Sequence, residues 1–227
     1  MDRFETLNAT IKKLKLTPKD ILRNWIFTHE VDTDTLEEVF CRLELDATLE
    51  PQIGGYAFIN DIFAPYPTAY SGLLGIVSWL NPDANAKPGE RGLILIPKKF
   101  TDKWANSYGR TGINHVSDGA ANTDKLMVWS NLKKYVFYAA QMCNKYSSKG
   151  IEKGQAFLPA VEQLSAIVKN IKPIRAAMKE LGLDFGGKLL TSTEYTEHYA
   201  YTVDVETGEV SGISKIQNCD YYPVIAF

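Results

Sequence analysis

The sequence predicts an α+β fold, and three observations carry that expectation. Leu73-Leu74-Gly75-Ile76-Val77-Ser78-Trp79-Leu80 and Gly92-Leu93-Ile94-Leu95-Ile96 read as a buried strand and its return, with Asn81-Pro82-Asp83 and Pro88-Gly89 as turn formers between them. Leu132, Val136, Ala139, Ala140 and Cys143 trace a helix; Val161, Leu164, Ile167 and Val168 trace a second after Pro159; residues 174–181 trace a third, stopped by Gly182. Residues 198–205 alternate, Glu206-Thr207-Gly208-Glu209 forms a hairpin loop, 210–216 return, and 222–227 read as a closing strand.

Composition sets the outer limits. The chain has 227 residues, a formal net charge of −2, 45% hydrophobic and 23% charged residues. That balance excludes disorder of the whole chain, because enough apolar surface is present to offset chain entropy. A nucleic-acid grip driven by bulk positive charge is disfavoured in a near-neutral chain. No apolar run reaches the length of about 18 residues that a membrane span requires. Cys41, Cys143 and Cys219 are odd in number and form no Cys-x-x-Cys pair, so they read as three reduced thiols, with one bridge plus one free thiol as the alternative and Cys143 a small buried residue. His29, His115 and His198 are too scattered for a metal site, and no metal or cofactor is expected. Met1-Asp2-Arg3-Phe4-Glu5 leads into a polar segment without the apolar core of an export leader, which predicts folding in a cytoplasm.

Two regions follow from the patterning. Residues 1–50 read as a helical docking module. Phe4, Leu7, Ile11 and Leu14 share one helical stripe, and Thr17-Pro18-Lys19-Asp20 starts a second helix carrying Ile21, Leu22, Trp25 and Ile26. Asp34 and Glu37 start a third, with Leu36, Val39, Phe40 and Leu43 inward. Short amphipathic helices cannot bury themselves alone. Phe4, Leu7, Ile11, Leu14 and Trp25 are therefore candidate partner-docking residues. Residues 55–227 form the second region. Within it, 98–125 reads as a long polar loop, the kind that often carries function. Trp104 and Tyr108 are candidates there for stacking on sugar rings, with Asn114, Asp118 and Asn122 as polar ligand contacts. The competing reading makes Trp104 a plug in the core. Thr191-Ser192-Thr193-Glu194 falls where a strand meets a loop; its oxygens either bond local backbone or, with Glu194 foremost, meet a ligand.

The succession of Trp79, Gly92-Leu93-Ile94-Leu95, Trp104, Asp118-Gly119-Ala120-Ala121-Asn122-Thr123, Phe157-Leu158-Pro159-Ala160-Val161-Glu162-Gln163-Leu164, Thr191-Ser192-Thr193-Glu194 and Pro223-Val224-Ile225-Ala226-Phe227 resembles DUF1566-type domains of Bacteroidales and their phages. The chain departs from that pattern at Ala156, at Leu189-Leu190 and at Tyr222. The resemblance implies a C-type-lectin-like domain, with mixed and mostly antiparallel sheets and two or more helices, related to formylglycine-generating enzymes. Neither Cys143 nor Cys219 matches the reactive cysteine pair of those enzymes, and no Gly-x-Ser-x-Gly, phosphate loop or His-Glu-x-x-His occurs, so no catalytic residue is expected.

On this reading the chain is a non-enzymatic virion component of a tailed phage, such as a head fibre, decoration, ring or tail-associated protein. It is made in the host cytoplasm and contacts other virion proteins and copies of itself. The alternative is a carbohydrate- or protein-binding adhesin on the surface of a gut bacterium. A host glycan or surface protein is the candidate ligand in either case. Twelve tyrosines supply contact area at low entropic cost.

Overall fold

The computed structural model describes residues 50–59, 62–65, 67, 72–83, 85–133 and 135–227. The helical module expected at 1–50, with Phe4, Leu7, Ile11, Leu14 and Trp25, lies outside the described residues except for Glu50. The described part is α+β. In chain order it comprises β1 (Tyr56–Phe58), β2 (Ile62–Ala64), β3 (Leu73–Leu80), β4 (Gly92–Leu95), β5 (Phe100–Lys103), α1 (Gly119–Lys133) and α2 (Tyr138–Lys145). After these come α3 (Val161–Lys169), α4 (Ile171–Glu180), β6 (Lys188–Glu194), β7 (Tyr199–Asp204), β8 (Val210–Ser214), β9 (Asn218–Tyr221) and β10 (Val224–Ala226).

The strands make two five-stranded sheets, ordered β10-β4-β3-β1-β2 and β5-β9-β6-β7-β8. All pairings are antiparallel except β6 with β9, which meet in parallel at Leu189 and Asp220. The alternation along each strand divides the core. Tyr56, Phe58, Ile76, Leu95 and Val224 of the first sheet meet Leu189 and Val203 of the second, and α3 and α4 fill the space with Leu164, Ile167, Ile174 and Met178. Leu190, Ala200 and Tyr221 face the other way and pack under α1 and α2, against Leu126, Phe137, Ala139 and Cys143. Ala57, Phe63, Ile94 and Ile225 form a third cluster, closed by Ile151 and Ala156.

Several expectations change here. The stretch 98–125 is not one long loop: β5 occupies Phe100–Lys103, and α1 begins at Gly119. Asp118 starts that helix as an N-cap, its Oδ1 accepting from the Ala121 N–H at 2.9 Å. The apolar series from Leu132 to Cys143 is two helices, because α1 ends at Lys133 and α2 begins at Tyr138. Leu132 is consequently exposed, while Ala139, Ala140 and Cys143 are buried. Cys143 and Cys219 are buried free thiols, and burial pushes both up, Cys219 to about 11. Thiols so raised hold little thiolate and are poor nucleophiles.

Candidate functional site

The end of β6 organises the loop of residues 104–118. Every oxygen-bearing side chain of Thr191, Ser192, Thr193 and Glu194 is buried, and each has a partner. Thr191 Oγ1 donates to the Tyr201 carbonyl at 2.9 Å. Ser192 Oγ accepts from Asn122 Nδ2 at 3.2 Å, which ties the strand to α1. Thr193 Oγ1 donates to the His115 carbonyl at 3.0 Å and accepts from the Val161 N–H at 3.1 Å, which ties it to the loop and to α3. Gln163 completes the junction. Its Oε1 accepts from Gly119 N and Ala160 N, both at 2.9 Å, so one side chain satisfies orphan donors at the starts of two helices.

Glu194 holds the loop itself. Its two carboxylate oxygens accept from the Thr111 and Gly112 N–H groups, each at 2.8 Å. Gly112 sits at φ 74°, a left-handed conformation that glycine adopts without penalty and that turns its N–H inward. Lys215, fully buried, donates from Nζ to Glu194 Oε1 at 2.5 Å and to the Gly109 carbonyl at 2.7 Å. The same ammonium lies 4.7 Å from the centre of the Trp104 ring. Trp104 in turn meets Phe137 edge to face at 5.2 Å and donates from Nε1 to the Thr191 carbonyl at 3.1 Å.

This arrangement corrects two ligand-contact assignments. Trp104 is an interior plug and presents no face for sugar stacking, because its ring is covered by Phe137 and Lys215 and its N–H is already paired. Asn122 is also interior, with Nδ2 donating to the His115 carbonyl at 2.7 Å as well as to Ser192. Glu194 is nearly inaccessible, and its oxygens are occupied by the loop and by Lys215. Of the loop residues named from the sequence, Tyr108, Asn114 and Asp118 are exposed, and Asp118 is engaged in capping α1.

Burial raises the Glu194 carboxyl, but hydrogen bonds from Lys215, Thr111 and Gly112 outweigh it and hold the group below its ordinary value of 4.5. Burial pulls the Lys215 ammonium below its ordinary value, and the bond and charge of Glu194 oppose that shift. A depressed carboxylate contributes stability that is present above its unfolded value and is lost as pH falls through the folded one. Unfolding midpoints measured at about pH 6 and about pH 3 are therefore expected to show an acid loss that Glu194→Gln reduces. An unchanged acid limb in the variant would mean that Glu194 does not carry it.

The anchored loop borders a surface of which sequence reasoning named only Tyr108. Tyr195, Tyr199 and Tyr108 are exposed large side chains. The Tyr108 and His198 rings lie 4.9 Å apart, and Tyr108 OH is 3.1 Å from Ser214 Oγ. Ser214 pairs with Tyr199 across β7 and β8, and Gly212 pairs with Tyr201. The Tyr195 and Tyr201 rings pack at a 38° tilt with centres 4.6 Å apart. A Cβ on Gly212 would come within 2.9 Å of the Tyr195 ring, so glycine there lets the ring approach the strand closely. The Tyr-x-Tyr alternation at 199 and 201 was the available signal, since i and i+2 share a strand face.

Among the described residues, no group of three or more His, Cys, Asp or Glu is placed to hold a metal ion, and no helix is long and apolar enough to cross a membrane. No family model matches the chain, and no curated protein matches it. Among solved structures the chain is similar to a fimbrial protein of Bacteroides ovatus, with a TM-score of 0.63 and 16% identity. The match covers 78% of this chain and 49% of the other, so this chain spans about half the length of that fimbrial protein. The likeness is one of fold.

Proposed function

We propose that the chain is a non-enzymatic adhesion module of a bacterial cell surface, with a C-type-lectin-like body that binds a glycan or a protein through the tyrosine surface beside loop 104–118. The observation that carries the proposal is the group of exposed rings, Tyr195, Tyr199 and Tyr108, gathered around the β7–β8 pair. The buried Glu194–Lys215 pair holds the bordering loop in place. Rigid aromatic area with polar edges favours stacking on sugar rings or on partner side chains. The fold shared with a fimbrial protein supports the cell-surface reading. The virion reading has no such support among the comparisons. Burial keeps the Cys143 and Cys219 thiols protonated, which argues against either as a nucleophile.

Glycan-array and surface-protein binding of the chain tests this. Tyr195→Ser and Tyr199→Ser are each expected to weaken binding about two- to tenfold, the worth of one aromatic contact. Gly212→Val is expected to weaken it by displacing the Tyr195 ring. No binding above background to either ligand class, or binding indifferent to all three substitutions, would overturn the proposal.

A further inference from the structure

The end of β3 and the start of β4 face the starts of α1 and α3 across a cavity of about 470 Å³, within the roughly 300–1,000 Å³ of small-molecule sites. Its wall is apolar on one side. Leu93 and Phe157 are buried there, and Trp79 is half-buried, packed against the core while also bounding the cavity. Exposed Glu90, Ser117, Asp118 and Glu162 complete the rim with the half-buried Gln163. Two of these polar groups also serve the fold, each through one atom. Asp118 caps α1 through Oδ1, and Gln163 accepts from Gly119 and Ala160 through Oε1. Asp118 Oδ2 and the Gln163 Nε2 amide are left for a ligand, one as acceptor and the other as donor.

The lining narrows the ligand class. It holds three carboxylates and no basic side chain, so an anion is repelled. A compact cation is disfavoured as well, because among the described residues no group of three acidic, His or Cys side chains is placed to hold one ion. The carboxylates stand apart around the rim. A purely apolar ligand would strip water from them and from the amide and offer no partner in return. The set is matched by an uncharged molecule with an apolar face for the indole and several hydroxyls at separate places on its edge. A sugar ring has that form.

We propose that this cavity binds one pyranose ring of a neutral sugar. The ring lies against Trp79, its hydroxyls donate to the Glu90, Asp118 and Glu162 carboxylates, and one hydroxyl accepts from Gln163 Nε2. The cavity shares no residue with the tyrosine surface, so either reading can fail alone.

Proton–nitrogen NMR of the full chain tests it, with the methyl glycosides of glucose, galactose, mannose and N-acetylglucosamine as neutral probes and methyl glucuronide as the anionic one. At least one neutral probe is expected to shift the Trp79 indole N–H and the Gln163 side-chain amide in a saturable way. The glucuronide is expected to bind at least tenfold more weakly. Ala166→Phe, which fills the cavity from α3, is expected to abolish the shifts, and Glu162→Gln to weaken binding about three- to tenfold, the worth of one hydrogen bond. Tyr195→Ser is expected to leave binding unchanged. The exposed position of Glu162 keeps the test decisive if Ala166→Phe fails to fold. Neutral probes that leave the Trp79 indole unmoved, a glucuronide that binds as well as they do, binding indifferent to Glu162→Gln, or binding lost in Tyr195→Ser would each overturn the proposal.

Discussion

Lys215→Met is expected to destabilise the protein by about 3–5 kcal/mol, the cost of breaking a buried ion pair from one side. Methionine preserves the volume and much of the packing on Trp104. It leaves the Glu194 carboxylate buried with only the Thr111 and Gly112 N–H groups, and it leaves the Gly109 carbonyl without its ammonium donor. The loss is read as a lower urea midpoint, with increased hydrogen exchange at Thr111 and Gly112. The second variant in the series separates charge from packing. Glu194→Gln combined with Lys215→Met removes both charges, and the carboxamide oxygen still accepts from the loop. The double variant is expected to be more stable than Lys215→Met alone. If it is equal or worse, the stranded charge is not the cause of the loss.

Trp104→Ala is expected to cost about 3–5 kcal/mol, in the range of large-to-small substitutions at a fully packed aromatic position. The substitution opens a cavity against Phe137, frees the Thr191 carbonyl and removes the ring that faces Lys215. Because Trp104 and Lys215 are in contact, their effects are expected to be less than additive, and a double-mutant cycle measures the coupling. Trp104 therefore serves as a probe of the platform rather than of ligand contact. Any binding loss in Trp104→Ala must be compared with its thermal unfolding. A loss of less than about 1 kcal/mol would show that the ring is not integral to the core.

The legible parts of the fold were those with one strong period. The run from Leu73 to Leu80 and its return at Gly92 are unbroken and apolar, and they became β3 and β4. The hairpin around Gly208 became β7 and β8, and Val161, Leu164, Ile167 and Val168 became the buried side of α3. Thr191 to Glu194 ends β6, and its oxygens serve backbone groups, except that Ser192 meets the Asn122 side chain and Glu194 also meets Lys215. The helix α1 was hidden because Asn122, Thr123 and Asp124 are weak helix formers, and its stability comes from Asp118, Gln163 and burial of Leu126. β5 was hidden because Phe100-Thr101-Asp102-Lys103 is a short polar edge, held by pairing with β9. No local pattern announces a residue's distant partner, and Glu194 and Lys215 are separated by 21 positions. Tyr222 is buried, with its hydroxyl donating to the Asp184 carbonyl at 2.7 Å.

The parallel meeting of β6 and β9 governs the order in which the molecule can be assembled during synthesis. β9 fills a slot inside the second sheet and β10 forms an edge of the first, so the ten residues from 218 to 227 knit together strands made much earlier. Until that stretch has been made, β5 and β6 have no common neighbour, and β4, paired with β3 on one side, has its other edge open. The nascent chain therefore waits with open strand edges, a condition that favours slow, late folding and makes chaperone protection valuable.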